Sequence, residues 1–213
     1  NELCTEFHAR NISTFIVTNA QFPEAIKNLK TITQLYLSLD APNEKILKTL
    51  DVPLFANYWE RYIQSIQNAA EKKYRKCARL TIVRGVNDVE PENYAQLIRM
   101  GKFDFVEIKG YMHVGESQKR LTRDHMPDFA YVKEFGMKIL EHLKDDYEFA
   151  SEHVPSDVIL LAHQKYHQKT WIDFDKFFEL INVEHAPENL EAEKYSKGTQ
   201  AVHESPKDIG VMQ

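Results

Sequence analysis

Short apolar segments alternate with amphipathic helical segments along most of the chain, and this alternation constrains the fold more than any other feature. Helical spacing of apolar residues occurs at 23–29, 43–50, 56–74, 92–100 and 131–143. Between these segments lie five runs with the apolar character of buried strands, at 15–19, 34–40, 78–85, 103–110 and 158–162. Repeated β–α units predict an α/β fold with parallel strands. A (β/α) barrel, a part of one and a doubly wound sheet all fit this pattern.

The composition is that of an ordinary globular protein. Of the 213 residues, 43% are apolar and 28% are charged, and the net charge is −5. Global charge therefore does not indicate a nucleic-acid-binding protein, although a local basic patch is compatible with one. No apolar run approaches the roughly 20 residues that span a bilayer, so we expect no membrane span and a cytoplasmic location. Cys4 and Cys77 lie far apart and form neither a disulfide framework nor a cluster motif, which favours free thiols in a reducing compartment.

The two ends of the chain differ from its middle. Residues 1–8 have the pattern of the interior of an amphipathic helix, with no N-cap signal before them, so we expect the chain to begin inside a larger protein. After Asn182 the sequence becomes polar. We therefore predict a folded part at 1–182 and a polar, flexible tail at 183–213.

Polar side chains stand where the predicted strands end, which is where ligands collect in parallel α/β folds. Hydroxyl, amide and carboxylate groups there can bind a ribose or an amino acid, and cations can bind carboxylate or phosphate. Polar residues also cap strand ends and contact solvent, but four consecutive polar ends favour a binding site. The residues are Thr18, Asn19, Ser38, Asp40, Arg84, Glu107 and Lys109, with His163 after the fifth strand.

Lys109 and the histidines admit more than one interpretation. A lysine at a strand end can form a Schiff base, but more often it binds an anion or pairs with a carboxylate such as Glu107. His163 and His167 have a spacing that suits a shared metal ion, yet the HExxH pattern is absent and chance spacing is favoured, so no metal ligand is predicted. Glu152-His153 is either the edge of a site or a packed loop, and we favour the site.

A basic and aromatic segment, residues 165–171, follows the fifth predicted strand. Cations with interleaved rings can hold RNA phosphates and stack on bases. A hairpin edge with Trp171 packed inward explains the same residues equally well.

Several blocks at these strand ends resemble, in order, the wybutosine-pathway radical-SAM enzymes, the tRNA 4-demethylwyosine synthases, and the resemblance is closer to eukaryotic members. It covers roughly residues 10–182. The blocks are FIVTNAQFP at 15–23, QLYLSLDA at 34–41, Arg61 with RLTIV at 79–83, FVEIKG at 105–110, GES at 115–117, Leu121-Thr122 with Met126-Pro127, Glu152-His153, LLA at 160–162 and WIDF at 171–174.

The resemblance implies the carboxyl-terminal portion of a partial (β/α) radical-SAM barrel with parallel strands at 1–182. It implies S-adenosyl-L-methionine and a 4Fe-4S cluster whose ligand cysteines lie upstream of this chain, a second upstream cluster, and an upstream flavodoxin-like domain that can carry FMN. The implied reaction condenses pyruvate with N1-methylguanosine beside the anticodon of phenylalanine tRNA and yields 4-demethylwyosine. The implied partners are that tRNA, pyruvate and the upstream portion of the same protein.

By position, the resemblance places Thr18, Asn19, Ser38 and Asp40 at the cofactor. It places Glu107, Lys109, Glu116 and Ser117 near the substrate and assigns no catalytic residue. Arg84, as a cation at a strand end, and His153, at the favoured site edge, complete the predicted substrate-binding group.

The sequence departs from the family in three ways. The cluster cysteines and the early cofactor loop are absent, so this chain alone is expected to be inactive. Pro155, Asp157 and Val158 replace the usual His, Asn and Cys after Glu152-His153, and the stretch between Lys165 and Trp171 is short. Two other functions fit the residues: an aldolase-like barrel lyase that uses Lys109, and a non-catalytic RNA-binding module.

Overall fold

A six-stranded mixed sheet forms the centre of the protein in a computed structural model that describes residues 1–198. Its strands are β1 (Phe15–Thr18), β2 (Gln34–Ser38), β3 (Arg75–Ile82), β4 (Phe105–Gly110), β5 (Tyr147–His153) and β6 (Val158–His163). Their order across the sheet is β1-β2-β3-β4-β6-β5. The first four strands are mutually parallel, which confirms the predicted α/β class and its parallel strands.

Two details of the sheet differ from the sequence prediction. The fifth predicted strand, β6, is antiparallel to β4, and β5 was not predicted at all. Because β5 is antiparallel to β6, it runs in the same direction as β1–β4. The β5–β6 hairpin therefore turns at the carboxyl ends of the parallel strands, and β6 returns the chain to their amino ends. A run of apolar residues indicates burial but not strand direction, and β5 carries Glu148, Ser151 and Glu152 within it.

Seven α-helices accompany the sheet within residues 1–198: α1 (Glu2–Ala9), α2 (Pro23–Lys27), α3 (Glu44–Asp51), α4 (Tyr58–Ala70), α5 (Pro91–Gly101), α6 (Phe129–Leu143) and α7 (Phe174–Ile181). Their starts follow local chemistry. The side chains of Asn43, Asp128 and Asp173 accept hydrogen bonds from the backbone N–H groups of the first turns of α3, α6 and α7. Pro23 and Pro91 occupy first-turn positions, where no helical hydrogen bond is lost.

One face of the sheet, the helix-covered face, forms the main hydrophobic core. The strand residues on it alternate with those of the other face and are buried under α2 and α4–α6: Leu35, Leu37, Ala78, Leu80, Ile82, Val106, Ile108, Ile159 and Leu161. Gly136 lets α6 approach closely, since a Cβ there would lie 2.3 Å from Ile159 Cδ1. The helices therefore fix the position of the strands from one side only.

The segment after α7 closes the amino-terminal end of the other face, and we call residues 187–197 the floor. Leu190, Ala192 and Tyr195 are buried, and β8 (Ser196–Lys197) pairs with β7 (Trp171–Ile172). The guanidinium of Arg75, itself buried, donates to Ser196 Oγ and to the Thr170 carbonyl oxygen. Within the stretch predicted to be a polar, flexible tail, spaced apolar side chains thus pack residues 187–197 against the sheet, and the division of the chain at residue 182 stays a prediction. Residues 199–213 lie outside the described part.

Candidate functional site

The second face of the sheet, the open face, carries the candidate site in successive rows. Strand register aligns Gln34 with Arg75 at the floor, and Tyr36 with Cys77 and Phe105 in the row beyond it. The next row aligns Ser38, Arg79 and Glu107, and the last aligns Thr81 with Lys109, Val158 and His153. We call this last row, with the loops that follow the carboxyl ends of β1–β5, the rim. Beyond the Gln34–Arg75 row, polarity thus rises towards the rim.

The row of Tyr36, Cys77 and Phe105 is largely apolar and packed. Cys77 and Phe105 pack with Ala162, Tyr166 and Ala192. Burial, as the largest cause, raises the pKa of the Cys77 thiol far above its usual value, so this cysteine is an inert core residue and not a ligand. The floor therefore excludes water from the base of the open face.

Arg79 and Glu107 form an ion pair in the middle row. Arg79 Nε lies 2.8 Å from Glu107 Oε1, and Arg79 Nη2 donates to Glu107 Oε2 at 3.3 Å. The guanidinium also stacks 4.2 Å from the centroid of the Tyr36 ring. Sequence reasoning named Glu107 but missed Arg79 as a site residue, although its position between the inward-facing Ala78 and Leu80 could have revealed it. The carboxylate of Glu107 is thus held by an arginine and not by Lys109.

Lys109 lies one same-face step beyond Glu107, between Thr81 of β3 and Val158 of β6. Its side chain is partly buried. Within residues 1–198, no carboxylate forms an ion pair with its ammonium group. The lysine therefore presents an amine to the open face with apolar and hydroxyl neighbours.

Asp40 stands at the rim just after β2. Burial, and next the negative charge of Asp51, raise its pKa to about 7, against hydrogen bonds from Thr81 and Ser38 that favour the carboxylate. The Asp40 carbonyl oxygen accepts from Nδ2 of the buried Asn87 at 2.8 Å, which fixes the backbone here. Asp40 and Ser38 together offer the hydroxyl and carboxyl groups that a ribose requires.

Thr18 and Asn19 form a tight turn after β1 rather than a part of the open face. Thr18 shares the face of Leu37, and its Oγ1 accepts from the backbone N–H of Ala20 at 3.2 Å. Asn19 is exposed and its Oδ1 accepts from Gln21 N at 3.4 Å. The two residues lie at the correct edge, but their side chains shape the turn.

The remaining predicted substrate residues on the loops have partners of their own. Ser117 bonds to the hydroxyl of the buried Tyr111 at 2.8 Å, and Glu116 is exposed and pairs with Lys119 at 2.6 Å. Arg84 stacks on the Tyr131 ring, 4.5 Å from its centroid, and approaches Asp128 at 3.7 Å. These contacts place Arg84 against the start of α6.

The two histidines at the ends of the β5–β6 hairpin lie at opposite edges. His153 lies at the rim, in register with Val158 and through it with Lys109, and its Nδ1 is 2.7 Å from Ser156 Oγ. His163, in contrast, lies at the amino end of the parallel strands, where its N–H donates to the Asp104 carbonyl oxygen. The prediction that His163 joins the rim is therefore wrong, because β6 is antiparallel.

The 165–171 segment also lies at the floor end of the sheet. Lys165 pairs with Asp104 at 3.0 Å and with Glu193 at 2.9 Å, and Tyr166 is buried. Trp171 begins β7. Lys165 therefore helps to hold the floor. Among residues 1–198 no group of three His, Cys, Asp or Glu side chains is placed to hold a metal ion, and no helix is long and apolar enough to cross a membrane.

A sheet of mostly parallel strands with polar groups along its carboxyl edge and helices on one face is the arrangement of a partial (β/α) barrel, the fold class of the radical SAM enzymes. Residues 1–98 match the sequence model of the radical SAM superfamily, and residues 100–163 match that of wyosine base formation. Coproporphyrinogen III oxidase from Escherichia coli, a radical SAM enzyme, has the same fold, with a TM-score of 0.50 at 12% identity over 77% of this chain and 39% of that chain.

The particular family follows from closer relatives, and the chain belongs to the S-adenosyl-L-methionine-dependent tRNA 4-demethylwyosine synthases. It is 44% identical to the enzyme of that name from Oryza sativa over 85% of this chain and 29% of the relative, and 42% identical to TYW1 from Homo sapiens over 85% and 25%. The structure of TYW1 with a lysine–pyruvate adduct superposes with a TM-score of 0.68 at 29% identity, over 77% of this chain and 51% of that chain. The chain thus spans under a third of the length of these curated relatives.

The radical SAM superfamily implies S-adenosyl-L-methionine with a 4Fe-4S cluster. Ser38 at the end of β2 and Asp40 at the rim carry hydroxyl and carboxyl groups of the kind that can hydrogen-bond a ribose, so they are compatible with that cofactor. The only cysteines in this chain are Cys4 and the buried Cys77, which cannot together supply a cluster site.

Proposed function

We propose that this chain is the cofactor- and substrate-binding part of a carbon–carbon lyase that modifies tRNA. The proposed reaction condenses pyruvate with N1-methylguanosine beside the anticodon of phenylalanine tRNA to give 4-demethylwyosine. The names of the relatives support the tRNA product, and the adduct in the TYW1 structure supports pyruvate.

The observation that carries this proposal is Lys109 on the open face. Lys109 lies at the carboxyl end of β4, and the carboxylate on the same face of that strand, Glu107, is already paired with Arg79. A neutral amine at this point can attack the C2 carbonyl of pyruvate and release water, which leaves an imine. We propose that Lys109 is the catalytic lysine of such an adduct.

The remaining rim residues have proposed binding roles. Ser38 and Asp40 orient the ribose of S-adenosyl-L-methionine, with Thr18 and Asn19 shaping the neighbouring turn. When bound, the cluster and this cofactor supply the radical chemistry. For the substrate we propose contacts from Arg84, Glu107, Glu116, Ser117 and His153.

The relatives have regions that this chain does not span. We propose that the corresponding regions of the whole protein hold the cluster cysteines and a flavodoxin-like domain that binds FMN. Residues 1–213 would therefore be inactive alone. We propose a cytoplasmic location for the whole protein.

Borohydride trapping tests the proposal. Protein incubated with pyruvate and reduced should gain a permanent mass on the peptide that contains Lys109. Lys109→Met should abolish this gain, whereas Lys138→Met, a matched change at an exposed lysine on α6, should leave it intact. Trapping at another lysine, or none, would refute the role of Lys109.

A second measurement separates the tRNA enzyme from an aldolase-like lyase, since both form the same adduct. The protein with cluster and cofactor should consume S-adenosyl-L-methionine and convert N1-methylguanosine in phenylalanine tRNA. Cleavage of pyruvate adducts without the cofactor would favour the lyase, and tight tRNA binding without cofactor binding would favour an RNA-binding module.

A further inference from the structure

A cavity of about 430 Å³ lies at the amino ends of β3 and β4, at the edge of the sheet opposite the rim. Five lysines line it, and we call it the lysine cavity: Lys72, Lys73, Lys76, Lys102 and Lys165. Its volume falls within the range of small-molecule binding sites. We propose that the lysine cavity binds phosphate, either as the free ion or as the phosphate group of a small phosphomonoester.

Three elements and the floor bring the lysines together. Lys72 and Lys73 follow the end of α4, Lys76 is the second residue of β3, and Lys102 ends α5. The floor forms the remaining wall, where the backbone N–H of Ala192 donates to the Lys73 carbonyl oxygen at 2.9 Å. The position of the cavity is therefore set by the packing of helices, sheet and floor.

Lys76 is the residue that points most directly to a ligand. It is 3% exposed, and in the described part of the chain its Nζ makes a single hydrogen bond, of 3.4 Å, to the Gly101 carbonyl oxygen. Burial, as the largest cause, lowers the pKa of Lys76 to about 8, so the amine is still mostly protonated at pH 7. A buried ammonium group is costly unless it is paired. An anion in the cavity would supply the partner.

Two of the three carboxylates in the lysine cavity are held by Lys165. Asp104 Oδ1 lies 3.0 Å from Lys165 Nζ, and Glu193 Oε1 lies 2.9 Å from the same nitrogen. The other oxygen of Asp104 accepts from the backbone N–H of Lys76 at 2.8 Å. These carboxylates are therefore engaged by groups other than the Lys76 ammonium.

The third carboxylate, Glu191, also lies away from the buried lysine. It is 3.1 Å from Lys194 Nζ and 3.9 Å from Lys73 Nζ. Among residues 1–198, none of the three carboxylates forms an ion pair with Lys76 or Lys102. Two ammonium groups of the cavity thus have donors to spare for an anion.

The balance of charge favours a phosphomonoester over other anions. Five lysines and three carboxylates leave a surplus of two positive charges in the described lining. A phosphomonoester carries about 1.5–2 negative charges at pH 7, whereas a carboxylate or a single phosphodiester of RNA carries one. Lysine binds phosphate as a point charge. Ala70 is the one apolar residue among the described lining residues, so the cavity suits a phosphate group better than a ring.

Lys102 provides a way to separate binding from stability. It is exposed and has a φ of 47° at the end of α5, in the left-handed region where glycine is the usual residue. Lys102→Gly therefore suits the backbone and at the same time removes a cation from the cavity. A purely structural lysine would not give a variant that is at least as stable but binds phosphate less well.

Titration of the full chain with inorganic phosphate and with ribose 5-phosphate tests the proposal, followed by calorimetry and phosphorus NMR at constant ionic strength. Saturable binding at one site is expected, and the tighter of the two ligands tells free phosphate from an ester. Lys76→Met should weaken binding about tenfold or more, and Lys102→Gly about threefold, with no fall in its unfolding temperature. Lys138→Met, which removes the same charge from an exposed position on α6, should leave the affinity unchanged.

Three results would overturn the proposal. They are absence of saturable binding, equal affinities in all variants, and binding of a short RNA hairpin through Lys76 when neither phosphate ligand binds. The first two would leave the lysines the role of neutralising the carboxyl end of α5. If circular dichroism shows that Lys76→Met is unfolded, Lys102→Gly decides the question. None of these variants touches the rim, so the proposed function stands or falls separately.

Discussion

The two faces of the central sheet are built from alternate residues of the same strands, yet they differ in almost every physical property. Ile108 and Leu80 are fully buried under helices, whereas their neighbours Lys109 and Arg79 lie on the open face. The helix-covered face is mostly apolar, whereas the open face has Gln34 and Arg75 at the floor, an apolar row beyond them and polar side chains towards the rim. We therefore expect the helix-covered face to supply most of the folding stability and the open face to supply the candidate binding groups. Substitutions at adjacent residues of one strand, which point to opposite faces, can test this difference.

The largest expected effect is on the helix-covered face. Ile108→Ala removes a fully buried side chain that packs beneath Gly136 of α6 and should lower the free energy of unfolding by about 3 kcal/mol. Lys109→Met, one residue away, should change it by less than about 1 kcal/mol. Urea unfolding of both variants measures the difference, and equal losses would show that the faces are not energetically distinct.

A smaller loss is expected at the junction of the open face with the floor. Arg75→Leu removes side-chain hydrogen bonds to Gln34, Thr170 and Ser196 and should cost about 2–3 kcal/mol. Amide exchange should accelerate first in residues 190–197. Lys30→Met, which breaks only an exposed pair with Glu188, should cost less than about 0.5 kcal/mol. Uniform acceleration of exchange throughout the sheet would contradict a separately docked floor.

The smallest expected effect is a gain in stability rather than a loss. It is expected for Asp40→Asn and depends on pH. Because the pKa of Asp40 is about 7 in the folded protein and near 4 when unfolded, the unfolded state ionises first as pH rises. The contribution of Asp40 to stability should thus fall between pH 4 and pH 7 and remain low above pH 7. Asp40→Asn should remove this decline and be the more stable protein at pH 8. Parallel stability–pH curves for the two proteins would disprove the raised pKa.

The positions of the first four strands and of five helices could be predicted from the sequence, because each combines a periodic apolar pattern with local start signals. Asn43 and Pro23 illustrate such signals, since capping depends on residues within one turn. The positions of Ser38, Asp40 and Lys109 at the carboxyl ends of β2 and β4 could be predicted for a related reason: the ends of parallel strands meet at one edge of the sheet.

Other features depend on contacts that local patterns do not record. His163 lies at the amino end of the parallel strands because β6 is antiparallel to β4. Strand direction is set by this pairing and not by composition. Arg79 was missed because its ion-pair partner Glu107 lies 28 residues later and is adjacent only through strand register. The floor was missed because Leu190 and Tyr195 are few apolar residues in a polar segment, and they are buried only by distant partners.

The floor also has a consequence for how the molecule folds. Its hydrogen bonds join residues far apart in sequence: Leu190 N to Thr31 Oγ1, and the Tyr195 hydroxyl to the Thr33 carbonyl oxygen, with separations of 159 and 162 residues. Ordering so long a loop carries a large entropic cost, so we expect these bonds to form after the strands have paired. Until that late step, the rings of Phe105 and Tyr166 remain accessible to water. The apolar surface that the floor covers is thus the part of this protein that would benefit most from shielding by a chaperone during folding.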